Sequence, residues 1–164
     1  MTADAPGRVG RRATSTGTFG TPAIRRRFAA QRDFGPFDAG DLDGSSSHVA
    51  EDIEWANPVA SVQGREELRG LLEIFWTAIP DFKHEVTDVV ASGDLVAIRG
   101  IGSGTHSGPL AGPAGEVPPS GRSISFPFAA FARVEDGLIR EFRGYWDVMD
   151  FMQQIGAIPE PAAV

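Results

Sequence analysis

The chain has 164 residues, contains no cysteine and carries a formal net charge of −7. A chain of this length predicts one domain, and the lack of cysteine excludes disulfide frameworks, thiolate metal sites and cysteine nucleophiles. Residues 1–32 hold seven arginines against one acid, whereas residues 33–164 hold eight basic residues and 21 acids. Because this acidic body repels phosphate groups, we expect no binding to nucleic acid or to a membrane.

The N-terminal region divides into two predicted parts. Residues 1–20 have no hydrophobic period, which predicts a disordered basic arm. Thr21-Pro22 predicts the start of a helix that ends at Gly35-Pro36. The stretch that follows favours a short helix only weakly, because Gly44 and three serines interrupt it. The opening residues lack the apolar segment of a secretory signal, so we expect a cytoplasmic protein.

The rest of the chain predicts one helix and then mainly strands. A short strand at 51–55 precedes an amphipathic helix that follows Gly64 and ends at Pro80. The segment 107–122 is rich in proline and glycine and predicts a long loop. Alternating patterns predict further strands at 82–91, 95–105, 123–134 and 138–146, with a final short helix at 147–155.

This order of elements predicts an α+β fold. We expect a cone-shaped α+β barrel, with N-terminal helices packed on a strongly curved, mostly antiparallel sheet. Such a cone has an apolar mouth that suits a small molecule. The domain is expected to cover residues 21–159, with residues 160–164 as a tail.

Asp147 closes the last predicted strand and has two interpretations. Strand alternation puts one polar series on a single face, which predicts a pocket floor: Ile139, Glu141, Arg143, Tyr145 and Asp147. Burial there would raise the pKa of the Asp147 carboxyl, so that it accepts a proton at neutral pH. Because Asp147 also opens a predicted helix, an N-cap is the other interpretation. Glu141 is the alternative base, or part of a charge ladder across the sheet.

Other candidates are polar and aromatic residues near strand ends. His106 is either a hydrogen-bond donor to an enolate oxygen or a surface histidine. Arg99 is either paired with an acid on an inner face or exposed at a rim. The predicted pocket wall, for which core packing is the alternative, comprises Trp55, Asn57, Phe75, Trp76, Arg99, Phe128, Arg143, Tyr145 and Trp146.

The remaining histidines, His48 and His84, are interpreted as incidental, His84 because it lies in an exposed-looking strand start. No two histidines have the spacing of metal ligands on a helix, so we expect neither a metal site nor a cofactor. Asn57 has a second interpretation of its own, as the cap of a turn before Pro58.

Several motifs together resemble the SnoaL-like polyketide cyclases of the nuclear-transport-factor-2-like superfamily. They are EDIEWANP from Glu51, GTHSG from Gly104, PPSGR from Pro118, EDGLIRE from Glu135, and a QQIG tail that begins six residues after Asp147.

The resemblance implies a cofactor-independent aldol cyclisation of a polyketide-type small molecule in secondary metabolism. It assigns the acid and base steps to Asp147 and brings His106 near the carbonyl side of the substrate. It also implies a homodimer or homotetramer. Two features depart from the family pattern: Gly44 and the serines after it interrupt a helix, and Gly100 stands where we expect a large aromatic residue.

Three functions are therefore expected from the same pocket. The first is the cyclase. The second is hydroxylation, epoxide opening or isomerisation of a similar hydrophobic aromatic molecule, because this class of fold hosts many reactions. The third is a non-catalytic small-molecule binding domain.

Overall fold

The computed structural model describes residues 35–112 and 115–158. The predicted arm, most of the helix predicted from Thr21, and the tail lie outside the described residues. The elements, in chain order, are α1 (Gly35–Asp38), α2 (Leu42–Ser46), β1 (Val49–Ala56), β2 (Ser61–Gln63), α3 (Arg65–Ala78), β3 (Lys83–Ser92), β4 (Leu95–Thr105), β5 (Leu110–Gly112), β6 (Gly115–Val117), β7 (Ser123–Glu135), β8 (Leu138–Trp146) and α4 (Val148–Gln154).

One sheet of six strands, in the order β2-β1-β8-β7-β4-β3, forms the body of the protein. Neighbouring strands are antiparallel except β1 and β8, which are parallel. Register shifts interrupt the pairs β1–β8, β3–β4 and β7–β8, and irregularities of this kind bend strands. The predicted α+β class, with helices on a curved and mostly antiparallel sheet, is confirmed.

Alternation along the long strands separates a buried face from an outer face. Val96 and Ile98 on β4 are buried, and their register partners Ala132 and Ala130 on β7 are buried with them. The residues between them, such as Leu95 and Phe131, are exposed. The buried face packs beneath α3 and α4, which contact β1, β2, β5 and β7. The functional cavities lie between this face and the helices.

Gly100 stands on the buried face, at the position where the sequence analysis expected a large aromatic side chain. Its register partner on β7 is Phe128. A Cβ atom at Gly100 would clash with the Glu85 carbonyl oxygen and would lie 2.9 Å from the Phe128 ring. The aromatic group therefore comes from the neighbouring strand, and glycine makes room for it.

Two short elements correct the sequence analysis. A one-turn helix, α1, begins at Gly35, where the preceding helix was expected to end. The predicted loop at 107–122 contains the hairpin of β5 and β6, and β2 was not predicted.

Gly44, which was expected to weaken a helix, supports α2. Asp41 caps this helix, because its Oδ1 accepts a hydrogen bond from the Gly44 N–H at 2.9 Å. A Cβ atom at Gly44 would collide with that carboxylate. Glycine is therefore the residue that lets the capping side chain fold back over the helix start.

Candidate functional site

The main cavity lies between the buried face of the sheet and the helices, with a volume of about 910 Å³ that is partly open to solvent. Aromatic rings from both layers form its wall: Phe37, Trp55, Phe75, Phe82, Phe126, Phe128, Phe142 and Trp146. Among the described residues that line it, His84 is the one with an ionisable side chain. This wall suits a flat, apolar ligand that carries few polar groups.

An adjoining cavity of about 820 Å³ shares four wall residues with the main one: Phe37, Trp55, Leu72 and Phe142. Its remaining wall is also largely apolar, with Ser45, Ser46 and His48 as its polar residues. The shared residues make the two cavities neighbours.

Five of the predicted wall residues line the main cavity: Trp55, Asn57, Phe75, Phe128 and Trp146. Trp55 also stacks on Phe142, with ring centroids 3.8 Å apart. The Asn57 Oδ1 accepts hydrogen bonds from the Val59 and Ala60 N–H groups at 2.9 and 2.8 Å. Asn57 is therefore both a turn residue and a wall residue.

Trp76 is the predicted wall residue that joins the core instead. It is partly buried, it does not line either cavity, and its ring lies 4.9 Å from that of Phe37. It belongs to the hydrophobic cluster of Ile53, Leu68 and Leu72. For this residue the core-packing alternative holds.

The polar side chains of the series on β8, Glu141, Arg143 and Tyr145, face outward, which corrects their interpretation as the pocket floor, whereas Ile139 lines the adjoining cavity. Phe142 and Gly144 are buried on the cavity side, so the residues that alternate with them point away from it. Arg143 joins Glu54 and Glu141 at 3.2 Å each, and Tyr145 is 53% exposed. Glu141 therefore belongs to a charge ladder, the alternative that the sequence analysis left open.

Arg99 also lies on the outer face. Its guanidinium pairs with Asp88 at 2.7 Å, and both side chains are more than half exposed. Hydrogen bonds from Thr87 and Arg99 lower the pKa of the Asp88 carboxyl. The exposed interpretation of Arg99 is the one that the structure supports.

Asp147 follows Trp146 directly and is exposed. It is the N-cap of α4, because its Oδ1 accepts a hydrogen bond from the Asp150 N–H at 3.1 Å. Trp146 lines the main cavity and Asp147 does not. The carboxylate thus stands beside the cavity wall, next to solvent.

His106 is fully buried beyond the end of β4, and it does not line either cavity. Its Nδ1 accepts a hydrogen bond from the Ser120 N–H and lies 3.0 Å from the Ser120 Oγ. Its Nε2 has no hydrogen-bond partner among the described residues. Burial lowers the pKa of His106 below its ordinary value. The sequence analysis expected His106 either in the pocket or at the surface. Neither position matches the buried position that the structure shows.

His84 is a cavity residue that the sequence analysis interpreted as incidental, and this is a correction. Its side chain is 12% exposed, and its Nδ1 lies 2.7 Å from the Asp38 Oδ1. Alternation offered a signal, because His84 shares a face of β3 with Val86, which lines the adjoining cavity. Its partner lies 46 positions away on a helix that was not predicted, so the pair itself was beyond sequence reasoning.

Two searches of the described residues complete the description. None of the helices in 35–112 and 115–158 is both long and apolar enough to cross a membrane. Within the same ranges, no group of three or more histidine, aspartate and glutamate side chains has the arrangement of a metal site.

Comparison with known proteins connects this fold and cavity to a family. The sequence model of the SnoaL-like polyketide cyclases matches residues 11–155. Among solved structures, the chain is similar to AclR from Streptomyces galilaeus, described as a candidate hydroxylase, at 25% identity and a TM-score of 0.71 over 86% of each chain. It is similar to IdmH from Streptomyces antibioticus, described as a candidate polyketide cyclase, at 30% identity and a TM-score of 0.63. That alignment covers 75% of this chain and 92% of IdmH.

A third structure, described as a candidate SnoaL-like polyketide cyclase from Jannaschia sp. CCS1, has 24% identity and a TM-score of 0.70. The alignment covers 87% of this chain and 100% of that one, and at this identity it shows the fold alone. No curated protein sequence matches the chain.

Proposed function

This chain belongs to the SnoaL-like polyketide cyclase family, and we propose from this membership that it closes a ring within a polyketide-type small molecule. The observation that carries the proposal is the main cavity, whose wall is built from aromatic rings. Flat conjugated substrates stack on such rings. A cavity that folds a flexible chain and excludes water also favours reaction between two parts of the same molecule.

The proposed reaction is an intramolecular aldol addition that needs no cofactor. A base removes a proton from a carbon next to a carbonyl group, and the resulting enolate carbon attacks a second carbonyl of the same molecule. A carbon–carbon bond forms, the attacked C=O π bond breaks, and its oxygen then takes a proton. The product is an isomer of the substrate, so no oxidant or reductant is consumed.

We assign the base in this proposal to Asp147, as the family resemblance implies. Asp147 follows Trp146, which is a wall residue of the main cavity. In this proposal the substrate extends past Trp146 to the exposed carboxylate and removes water from it, which strengthens a carboxylate as a base. The role as N-cap of α4 is compatible with this, because one oxygen of the carboxylate is enough to hold the cap.

The test is turnover of a panel of aromatic polyketide esters by metal-free protein, with products identified by mass and retention time. The key variant is Asp147→Asn, because asparagine caps helices as well as aspartate does. We expect a product of unchanged mass from the wild type, and a loss of turnover of at least about 100-fold in the variant. Asp150→Asn, one turn later on α4, is the matched control and should keep its turnover.

Other outcomes would redirect the proposal. A product heavier by one oxygen would favour hydroxylation, the second candidate, which the similarity to AclR supports. Full activity of Asp147→Asn would remove Asp147 from the mechanism. Ligand binding without any product would favour the non-catalytic binding domain.

A homodimer or homotetramer is part of the proposal. The outer face of the sheet supports it, because Val90, Phe131 and Tyr145 are exposed there. A second copy of the chain that packs on this face would cover these side chains.

A further inference from the structure

The Asp38 carboxylate holds the His84 ring from one side. Its Oδ1 lies 2.7 Å from the His84 Nδ1, and its Oδ2 accepts the His84 backbone N–H at 3.1 Å. Lys83 donates to the Asp38 carbonyl oxygen at 2.7 Å, which fixes the end of α1 against β3. An ionised carboxylate only accepts hydrogen bonds, so the hydrogen between the two side chains resides on Nδ1.

Among the residues that the structure describes, three aromatic rings lie edge-on to the imidazole. The ring centroids of Phe37, Phe82 and Phe128 lie 5.0, 4.8 and 5.2 Å from that of His84. His84 and Asp38 are each 12% exposed, and His84 lines the main cavity. An ionisable pair set into an apolar wall is costly for stability, and such pairs concentrate at functional sites.

A purely structural role explains only part of this arrangement. The bond from the His84 backbone N–H to Asp38 ties α1 to β3, and any residue at this position would make it. The imidazole itself is not needed for that connection. Phenylalanine or leucine would fill the same part of an apolar wall without bringing an ionisable group into it.

We propose that His84 and Asp38 form a proton-transfer dyad that acts on a substrate oxygen in the main cavity. The inference rests on the proposed cyclisation and adds its second proton-transfer group. When the enolate carbon attacks the carbonyl, the electron pair of the C=O π bond moves to the oxygen. The protonated ring gives its Nε2 proton to that oxygen. The other hydrogen stays on Nδ1, where it is donated to the Asp38 carboxylate.

The protons balance over a full turnover. The base of the proposed reaction gains the proton that leaves carbon, and His84 loses one to oxygen. Asp147 releases its proton to bulk water, and the His84 ring takes up a proton from water once the product has left the cavity. Asp38 acts through His84 and is therefore a positioning residue, whereas His84 touches the substrate. The dyad also narrows the substrate class to flat molecules that place a carbonyl or enol oxygen within the aromatic wall.

Three variants test the dyad in turnover. His84→Phe keeps an aromatic ring in the wall and removes the proton donor, so kcat should fall at least about 100-fold while KM changes little. Asp38→Asn keeps hydrogen bonding to the backbone and removes the charge, so kcat should fall by about 10-fold at unchanged KM. Glu85→Gln, at an exposed position next to His84 on β3 that lines neither cavity, is the matched control and should keep wild-type turnover. Unchanged kcat in His84→Phe would overturn the proposal.

A second measurement uses the wild-type protein and separates this inference from the cyclase proposal. Alizarin, a flat hydroxyanthraquinone whose colour changes when its hydroxyl ionises, is titrated into protein labelled with ¹⁵N at histidine. We expect the His84 ring signals, identified by their absence in His84→Phe, to move on binding, while those of His106 stay in place. The downfield Nδ1–H proton signal of His84 should be lost in Asp38→Asn.

The two proposals then fail in different ways. If the wild type converts none of the esters but alizarin moves the His84 signals, the reaction is wrong and the oxygen-recognising site stands. If alizarin binds and the His84 signals do not move, the dyad is overturned even where cyclisation is observed. Circular dichroism spectra that match the wild type establish that each variant is folded.

Discussion

At the scale of single residues, two histidines occupy positions that the sequence did not suggest. His106, the residue of the GTHSG motif, is fully buried and bonded to Ser120. His84, which no motif marks, lines the main cavity and carries the Asp38 carboxylate behind it. A sequence motif identifies a residue on which the fold depends. The surroundings of that residue in the structure decide whether its role is structural or chemical.

The burial of His106 predicts a stability that falls in mild acid. Its pKa is lowered in the folded protein, whereas an unfolded histidine binds a proton below about pH 6.5. The unfolded chain therefore binds more protons as the pH falls through that value, and folding becomes less favourable. This single group contributes at most about 1.4 kcal/mol per pH unit to the loss. Urea unfolding of the wild type at pH 7.5 and 5.5 measures it.

His106→Gln isolates this contribution. The variant starts from a lower stability, because it loses buried contacts, but its unfolding free energy should fall less between the two pH values than that of the wild type. Ring ¹³C signals provide an independent check, since His106 in the folded wild type should titrate at a lower pH than a histidine of the urea-unfolded chain. A folded His106 ring that titrates at the same pH as the unfolded histidine, or at a higher one, would contradict the prediction.

The residues of the candidate site were predictable only where a residue and its neighbours in sequence determine whether its side chain lines the cavity. Trp55, Phe75 and Trp146 are large apolar groups at element ends, and they line the main cavity as expected. The Asp38–His84 pair joins residues 46 positions apart and depends on the position of α1. Which face of β8 meets the helices is likewise a property of packing, so the polar series was placed on the wrong side.

At the scale of elements, long strands followed from alternation, and the family motifs turn out to connect them. The bounds of β4 and β8 agree with the sequence prediction, because each has a clear period of two. The GTHSG and PPSGR motifs meet through His106 and Ser120. In the QQIG tail, Gln154 bonds both backbone groups of Ser125, at 2.7 and 3.0 Å. These motifs therefore hold α3, α4 and the loops against the ends of β4 and β7.

Short elements escaped prediction for the opposite reason. β2, β5 and β6 have three residues each, too few to show a period. The β5–β6 hairpin is formed by Leu110–Gly112 and Gly115–Val117, within a segment whose prolines and glycines predict a loop. These short strands form because each has a partner strand nearby in the fold. The local sequence pattern does not indicate that partner.

Alanine substitutions at two glycines are predicted to change the free energy of unfolding in opposite directions. A methyl group at Gly100 would meet the Phe128 ring and the Glu85 backbone, so Gly100→Ala should lower the free energy of unfolding by about 1–3 kcal/mol. Gly70 is exposed within α3, with nothing within 4 Å of an added Cβ. Gly70→Ala, the matched control, should raise the free energy of unfolding by about 0.5–1 kcal/mol. Urea unfolding followed by circular dichroism measures both, and a stabilising Gly100→Ala would show that β4 and β7 are packed differently.

At the scale of the whole molecule, the outer face of the sheet is the large surface that the helices of residues 35–112 and 115–158 leave uncovered. Register aligns Val90, Ala97 and Phe131 across β3, β4 and β7, and Arg143 of β8 continues the same row. Val90 is 64% and Phe131 43% exposed, and the Phe131 and Tyr145 rings meet edge-on at 6.1 Å. Ion pairs of Arg99 and Arg143 border this apolar patch. An apolar centre with a charged rim is the composition of a protein interface.

The apolar patch predicts that copies of the chain assemble through it, and that two charges introduced there disrupt the assembly. Light scattering of the wild type at micromolar concentration should give at least twice the 17.5 kDa of the chain. The double variant Phe131→Glu with Tyr145→Glu should give the mass of a single chain, because carboxylates at the centre of an interface lose water without gaining partners. Met149→Glu, at an exposed position on α4, is the control and should keep the wild-type mass. A wild type that scatters as one chain would contradict the assembly, and a double variant that stays assembled would move the interface to another surface.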